Sequence, residues 1–266
     1  PAARLGWGAG RTLGLGAATF GLLVAFLVRE ATAKNPLIPL RIFRSRNVSG
    51  ANMIQALTVA GMFGMFFLGA LYLQRVLGYD PLQTGLAFLP TTIVMGTLSV
   101  RYSERLVMRF GARRTLLPGL VLIGAGLALF VRVPVEGNYW IDVLPSMILV
   151  GTGVGTAFPA LAALAMSGAT PSDAGLASGL VNTTVQVGAA VGLAVLATVS
   201  ATRSEQLIGN GESTVAALTD GYHLAFLIGA VLVAVAIAVA VTVLEPERQE
   251  KEEFHGEAER AECEAA

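Results

Sequence analysis

Four uncharged amide side chains are the best candidates for ligand contacts in this 266-residue sequence. Asn182 and Gln186 are four residues apart, so on a helix they share one face, and Asn52 and Gln55 form a second pair on an earlier segment. All four lie deep within long apolar segments, where an amide facing apolar surroundings would lack a hydrogen-bond partner. We therefore expect these amides either to hydrogen-bond between helices or to line a wet cavity.

A second candidate is the arginine-rich stretch 101–114, which reads RYSERLVMRFGARR. One interpretation is a positively charged anchor that fixes the orientation of the chain. The other is a gate, whose guanidinium groups pair with carboxylates or helix ends in one conformation and release them in another. The gate interpretation rests on an acid, a glycine at the expected turn and arginines at four-residue spacing, namely Glu104, Arg105, Arg109, Gly111, Arg113 and Arg114.

Catalysis and metal binding find little support in the sequence. The single cysteine, Cys263, excludes an internal disulfide framework, and two histidines, His223 and His255, are too few for a zinc cluster. No nucleophile and base are spaced for a reaction, so we predict no enzyme, no cofactor and no metal. The 18 basic and 18 acidic residues balance, which gives no basic surface for nucleic acid.

The composition excludes an ordinary soluble domain. Hydrophobic residues make up 54% of the chain and charged residues 14%, whereas soluble domains carry about 25% charged residues. Segments of bilayer-crossing length that are apolar on every face are expected to be helices, because lipid offers the backbone no hydrogen-bond partner. The predicted fold class is all-α, a polytopic membrane helical bundle with seven spans at approximately 13–28, 48–73, 81–100, 115–131, 141–166, 174–201 and 222–244.

The basic residues predict the orientation of these spans. Thirteen of the eighteen lie in alternate connections, which include 29–47, 101–114 and the tail after Leu244. Because positive side chains are retained on the cytoplasmic side, the C-terminus is predicted to be cytoplasmic. Sixteen arginines against two lysines are typical of a GC-rich bacterial genome, so we expect a multi-pass protein of the bacterial cytoplasmic (inner) membrane.

Small residues recur within the spans at spacings that let helices approach closely. We expect helix packing at these positions, and their concentration in two consecutive segments suggests a tightly packed interface that moves. The positions are Gly151, Gly153, Gly155, Pro159, Gly175, Gly179, Gly188 and Gly192.

Four stretches carry a resemblance to a known family. They are PLIPLRIF at 36–43, LYLQRVLGYDPLQTG at 71–85, GTGVGTAFP at 151–159 and DAGLASGLVNTTVQVGAAVG at 173–192. Together with Pro90 they resemble the major facilitator superfamily, and more closely the C-terminal half of a fourteen-span drug:proton antiporter of the EmrB/QacA type. The arginine-rich stretch is similar to the repeated cytoplasmic motif of the superfamily, with Met108 where that motif has an acid.

The resemblance implies a division of the chain and a function. Residues 1–47 are an extra central span and a linker, 48–244 the C-terminal six-helix transporter domain, and 245–266 an acidic cytoplasmic tail. The implied function is proton-coupled export of lipophilic drugs or other small molecules by alternating access. The implied partners are a small lipophilic substrate, protons, the lipid bilayer and an N-terminal half. A stand-alone seven-span interaction subunit without transport activity is the alternative.

Overall fold

The computed structural model describes residues 10–32, 45–167 and 174–244. The 36–43 motif, Asp173 and the acidic tail at 245–266 lie outside the described residues. Within the described ranges the regular secondary structure is entirely helical, which confirms the all-α prediction.

Eight α-helices follow one another within the described ranges. Two π-helical turns, Leu98–Tyr102 and Tyr139–Val143, adjoin them. The helices are α1 Gly10–Thr32, α2 Arg46–Arg75, α3 Pro81–Thr97, α4 Ser103–Phe110, α5 Ala112–Phe130, α6 Leu144–Met166, α7 Ala174–Gly209 and α8 Thr214–Thr242.

Six of these helices are long and apolar enough to cross a membrane: α1, α2, α5, α6 with its π-helical turn, α7 and α8. The remaining predicted span corresponds to α3, whose 17 α-helical residues continue without a break into the π-helical turn. Asp80 begins α3 with a capping box, in which its carboxylate accepts from the Gln83 backbone N–H at 2.8 Å. The chain is therefore a multi-pass membrane protein in which each predicted span is a helix.

The connection between the last two spans differs from the prediction. Hydropathy predicts that one span ends near Ala201 and that the next begins at Tyr222, but α7 and α8 extend towards each other and leave a short turn. Gly211 adopts φ +92° in this turn, and the Ser213 hydroxyl caps α8. An ion pair between the Arg203 Nε and an Asp220 carboxylate oxygen, 3.0 Å apart, joins the extended ends. Residues 202–221, which the predicted spans leave as a connection, are thus mostly helical.

Helices α2 and α6 form the centre of the bundle. α6 packs mainly against α5 and α3, and α2 packs mainly against α8 and α7. Their most buried side chains include Ile54, Met65 and Leu161, in one continuous apolar core. By contrast, the described side chains of α1 are almost all exposed, so this helix adds little to that core.

The two ends of the bundle are defined by long-range hydrogen bonds. At one end, the Tyr72 hydroxyl donates to the Pro134 carbonyl at 2.6 Å, and the His223 Nε2 lies 2.7 Å from the Val133 carbonyl. We call this the Val133 end. At the opposite end, which we call the Arg113 end, the Arg113 guanidinium donates to a carbonyl near the end of α8. Successive spans from α2 to α8 therefore run in alternating directions.

Candidate functional site

The first predicted amide, Asn52, ties two helices together near the Arg113 end. Its side chain is 8% exposed, and its Nδ2 donates to the Val48 carbonyl one turn earlier at 2.8 Å. Its Oδ1 accepts from the Thr184 hydroxyl of α7 at 3.0 Å. Asn52 thus makes an interhelical hydrogen bond, one of the two expected roles. Thr184 was not selected from the sequence, because a threonine in a helix usually bonds its own preceding turn.

The second amide, Gln55, lies one turn further along α2. Its side chain is 4% exposed, and its Oε1 has no hydrogen-bond partner among the described residues. An unpaired buried acceptor costs about 1–3 kcal/mol unless water or another group reaches it. Gln55 is therefore the buried amide with unused hydrogen-bonding capacity.

The other predicted pair, Asn182 and Gln186, is exposed on α7. The Asn182 Nδ2 donates at 3.2 Å to the Ser178 carbonyl of its own helix. The glycines on the same side are also uncovered, since a Cβ atom at Gly175 or Gly179 would meet nothing within 4 Å. We call these five residues, at 175, 178, 179, 182 and 186, the uncovered α7 face.

Geometry explains why the two amide pairs do not meet. Each residue rotates a helix by about 100°, so the positions of α7 that contact α2 lie well around the helix from Asn182 and Gln186. Those contact positions are Gly188 and Gly192, whose hypothetical Cβ atoms would lie 3.0 Å and 2.8 Å from the carbonyl oxygens of Ala56 and Ala60. The glycines of α7 thus divide between a packed face and an uncovered one.

The glycines of α6 are packed on two opposite sides. A Cβ at Gly151 would lie 2.8 Å from the Thr91 carbonyl oxygen, and one at Gly155 would lie 2.7 Å from the Met95 carbonyl oxygen, both on α3. Gly153, about 200° around the helix, faces α5, where its Cβ would lie 2.5 Å from the Gly119 carbonyl oxygen. This spacing places α6 in close contact with both neighbours. Pro159, a turn further on, is partly buried within α6.

The arginine-rich stretch is largely helical. α4 ends at Phe110, Gly111 makes the predicted turn with φ +84°, and α5 begins at Ala112. The Arg113 Nη2 donates to the Val241 carbonyl of α8 at 2.7 Å, while its buried Nε has no partner among the described residues. Arg113 therefore hydrogen-bonds the backbone near the end of α8.

The other members of the stretch point outward. Glu104, Arg105, Arg109 and Arg114 are exposed, and none of them forms an ion pair within the described ranges. The Arg109 guanidinium lies 5.4 Å from the ring centroid of Phe110. In this conformation, Glu104 does not replace the acid that the superfamily motif has at the Met108 position.

No metal-binding cluster occurs in the part of the chain that the structure describes. No three His, Cys, Asp or Glu side chains are grouped there so as to hold a metal ion. His223, at the edge of the last span, contacts a backbone carbonyl.

Comparisons with known proteins agree with this architecture. The chain is 32% identical to the puromycin resistance protein of Streptomyces alboniger over 87% of its length, covering 48% of that protein. It is 30% identical to the methylenomycin A resistance protein of Streptomyces coelicolor, over 86% of the chain and 46% of that protein. For the tetracenomycin C resistance and export protein of Streptomyces glaucescens, the identity is 33% over 74% of the chain and 36% of that protein.

The chain thus spans about half the length, or less, of the curated relatives it matches. Its residues 2–193, nearly three quarters of its length, match the family described as Major Facilitator Superfamily. The chain therefore belongs to the major facilitator superfamily.

Proposed function

We propose that this chain is the C-terminal part of a secondary transporter that exports small lipophilic molecules in exchange for protons. In this proposal, residues 48–244 form one of two six-helix domains that rock about a central site, and 1–47 supply an extra span and a linker. The relatives support export, because they are named for resistance to antibiotics and for export of one. No catalytic role is proposed.

The observation that carries the proposal is the chemistry of the uncovered α7 face. A helix surface that meets lipid is expected to be apolar, as on α8, where Leu227, Val231 and Val235 are exposed. The uncovered α7 face instead presents two glycines, a serine and the amides of Asn182 and Gln186. Glycines allow another helix to approach closely and amides require polar partners, so this face fits the other domain and a wet cavity between the two.

The proton-binding group is proposed to lie in another part of the protein. Within the described spans, each acid lies near an end of its helix, as Asp142 and Asp220 do. A carboxylate that carries protons across a membrane is expected deep in the bundle. Burial of an ionisable group there costs free energy, so such a group usually has a function. We assign the coupling carboxylates to an N-terminal half of the complete protein.

The orientation and the gate belong to the same proposal. The Arg113 end is assigned to the cytoplasm of a bacterial cell, with the tail at 245–266 on the same side, because the basic residues concentrate there. The bond from Arg113 to the end of α8 is assigned to one conformation of the cytoplasmic gate, and rocking of the domain is proposed to release it.

The test is efflux by the complete protein expressed in a drug-sensitive bacterial strain. The double substitution Asn182→Ala and Gln186→Ala is expected to change the selectivity among lipophilic antibiotics, puromycin included, by about fivefold or more in efflux rate, since one lost amide contact is worth about 1 kcal/mol. Asn210→Ala is the matched control, because it removes an exposed amide in the turn between α7 and α8.

A protonophore supplies the second control, since collapse of the proton gradient is expected to stop export by the unmodified protein. Unchanged efflux of every compound by the double variant, at equal membrane abundance, would remove the two amides from the site. Export that continued without the proton gradient would refute proton coupling while leaving the transporter assignment intact.

A further inference from the structure

A polar cleft at the Val133 end lies outside the proposed transport surface. It has a volume of about 120 Å³ and is formed between the end of α5 and the start of α6. Its lining combines one cation and one anion with apolar and hydroxyl groups, from Leu129, Arg132, Val133, Ile141, Asp142, Pro145 and Ser146.

The two charged groups of the cleft are not paired with each other. Arg132 and Asp142 line the same space, yet no guanidinium nitrogen lies within 4.0 Å of the carboxylate, and the Arg132 side chain makes no hydrogen bond within the described ranges. The Asp142 Oδ2 accepts from the Asn138 backbone N–H at 2.7 Å, which holds the carboxylate in place. The cleft therefore presents separated charges of opposite sign, with unused hydrogen-bonding capacity on each.

The surroundings of the cleft are those of a membrane interface. Trp140 and Ile141 are 72% and 73% exposed beside it, and tryptophan is enriched where the apolar core of a bilayer meets its headgroups. Val121 and Leu129 are exposed at eight-residue spacing on α5. They continue an apolar surface from the cleft towards the middle of the span. This path suits an acyl chain.

We propose that this cleft binds the headgroup of a zwitterionic phospholipid with a primary ammonium, of the phosphatidylethanolamine class. The phosphate contacts the Arg132 guanidinium, a fork of donors that fits phosphate oxygens. The ammonium contacts the Asp142 carboxylate, and the acyl chains follow the exposed surface of α5. A primary ammonium donates up to three hydrogen bonds, whereas the quaternary ammonium of phosphatidylcholine donates none, so the cleft is selective between the two lipids.

The location of the cleft separates this inference from the transport proposal. Helix α7, which carries the uncovered face, packs mainly on α2, and α3 packs mainly on α6. The cleft is formed instead by α5 and α6 at their Val133 ends. The lipid is thus a bound structural partner at the edge of the bundle. The proposal does not depend on which compound the protein exports.

The experiment is native mass spectrometry of the complete, delipidated protein with phosphatidylethanolamine, phosphatidylcholine or phosphatidylglycerol of identical acyl chains. The unmodified protein is expected to retain phosphatidylethanolamine best. Arg132→Gln is expected to lower its retention about fivefold, and that of phosphatidylcholine as well, because both lipids lose the phosphate contact.

Asp142→Asn gives the sharper result. Asparagine keeps an oxygen acceptor for the Asn138 N–H, so the turn is preserved while the negative charge is removed. Retention of phosphatidylethanolamine is expected to fall to the level of phosphatidylcholine, whose own retention does not change. Arg203→Gln, which breaks an exposed ion pair at the same end of the bundle, is the control and leaves all three lipids unaffected.

Several outcomes would overturn the proposal. Equal retention of phosphatidylethanolamine and phosphatidylcholine by the unmodified protein would remove the role of Asp142, and equal retention by Arg132→Gln would remove the phosphate contact. Preferred binding of phosphatidylglycerol would show that the site selects an anionic headgroup and that the Asp142 carboxylate does not take part. Displacement of the lipid by soluble glycerophosphoethanolamine would show that a free headgroup is the ligand. Should Arg132→Gln fail to fold, Arg132→Lys, expected to lose about half of the retention, serves in its place.

Discussion

The glycines of α6 and those at the start of α7 have the same chemistry but opposite surroundings. Around Gly151, Gly153 and Gly155, backbone atoms of two neighbouring helices come so close that a single added methyl group would collide. At Gly175 and Gly179, nothing in the described part of the chain would meet that group. Small residues therefore occur in this bundle both where helices pack closely and where a helix surface is uncovered.

The difference indicates which contacts hold the described helices together and which surface is left for another partner. On α6, three glycines bring α3 and α5 against one central helix. On α7, the glycines with close backbone contacts are Gly188 and Gly192, while Gly175 and Gly179 lie on the uncovered face. Substitutions in α6 should therefore act on folding, whereas substitutions on the uncovered α7 face should act on function.

The largest effect is expected for Gly153→Leu. A side chain here would enter space occupied by the Gly119 carbonyl and by Ile123, at 2.5 Å and 2.7 Å from the new Cβ. We expect a loss of about 3 kcal/mol or more, enough to abolish most of the folded protein. Size-exclusion chromatography of a fluorescent fusion measures the folded yield. Gly179→Leu is the matched control, and a similar loss for both variants would erase the distinction between the two regions.

A smaller loss is expected for Gly192→Ala, which tests the packed part of α7 itself. The added methyl group would lie 2.8 Å from the Ala60 carbonyl oxygen and closer still to the Ala60 Cα. Helices α2 and α7 must separate slightly to accept it, at a cost of about 1–3 kcal/mol. Thermal unfolding in detergent measures the change. An unfolding temperature equal to that of the unmodified protein would mean that α2 and α7 are not in close contact at Gly192.

Gly179→Ala is expected to stabilise the helix while impairing transport. Alanine favours a helix over glycine by about 1 kcal/mol, and at this position it meets no atom of the described chain. The unfolding temperature should therefore rise slightly. If the other domain packs on this face, the efflux rate of the complete protein falls in the same variant. Normal efflux by Gly179→Ala and by the larger Gly179→Leu would argue that lipid covers the face.

The smallest effect is expected for Thr184→Val, which removes the hydroxyl that donates to Asn52 Oδ1. Hydrogen bonds between membrane helices contribute about 0.6 kcal/mol on average, so a shift of a few degrees or less in unfolding temperature is expected. Thr183→Val is the control, since its exposed hydroxyl bonds only the Gly179 carbonyl of the same helix. Equal shifts for the two variants would show that the hydrogen bond between α2 and α7 does not contribute more to stability than a bond within one helix.

Much of the architecture followed from hydropathy and local signals. Each predicted span is a helix, and six of them are long and apolar enough to cross a membrane, because a bilayer requires long apolar helices. The turn at Gly111 was also predicted, because a left-handed backbone favours glycine. The ends of α7 and α8 were missed, since polar residues beyond the apolar core form helix as readily as loop. Thr184 was missed for another reason, because its partner Asn52 is 132 residues away.

The sequence by itself determined that this protein is a bundle of membrane helices from the major facilitator superfamily. The helices follow from residue types, and the family follows from short motifs. Only the tertiary structure decided which way each small or polar residue faces. Asn52 meets another helix, Asn182 does not, and Gly153 and Gly179 differ completely in what surrounds them. The physical reason is that the rotation of a helix fixes its faces relative to one another, while the packing of neighbouring helices decides which face is covered.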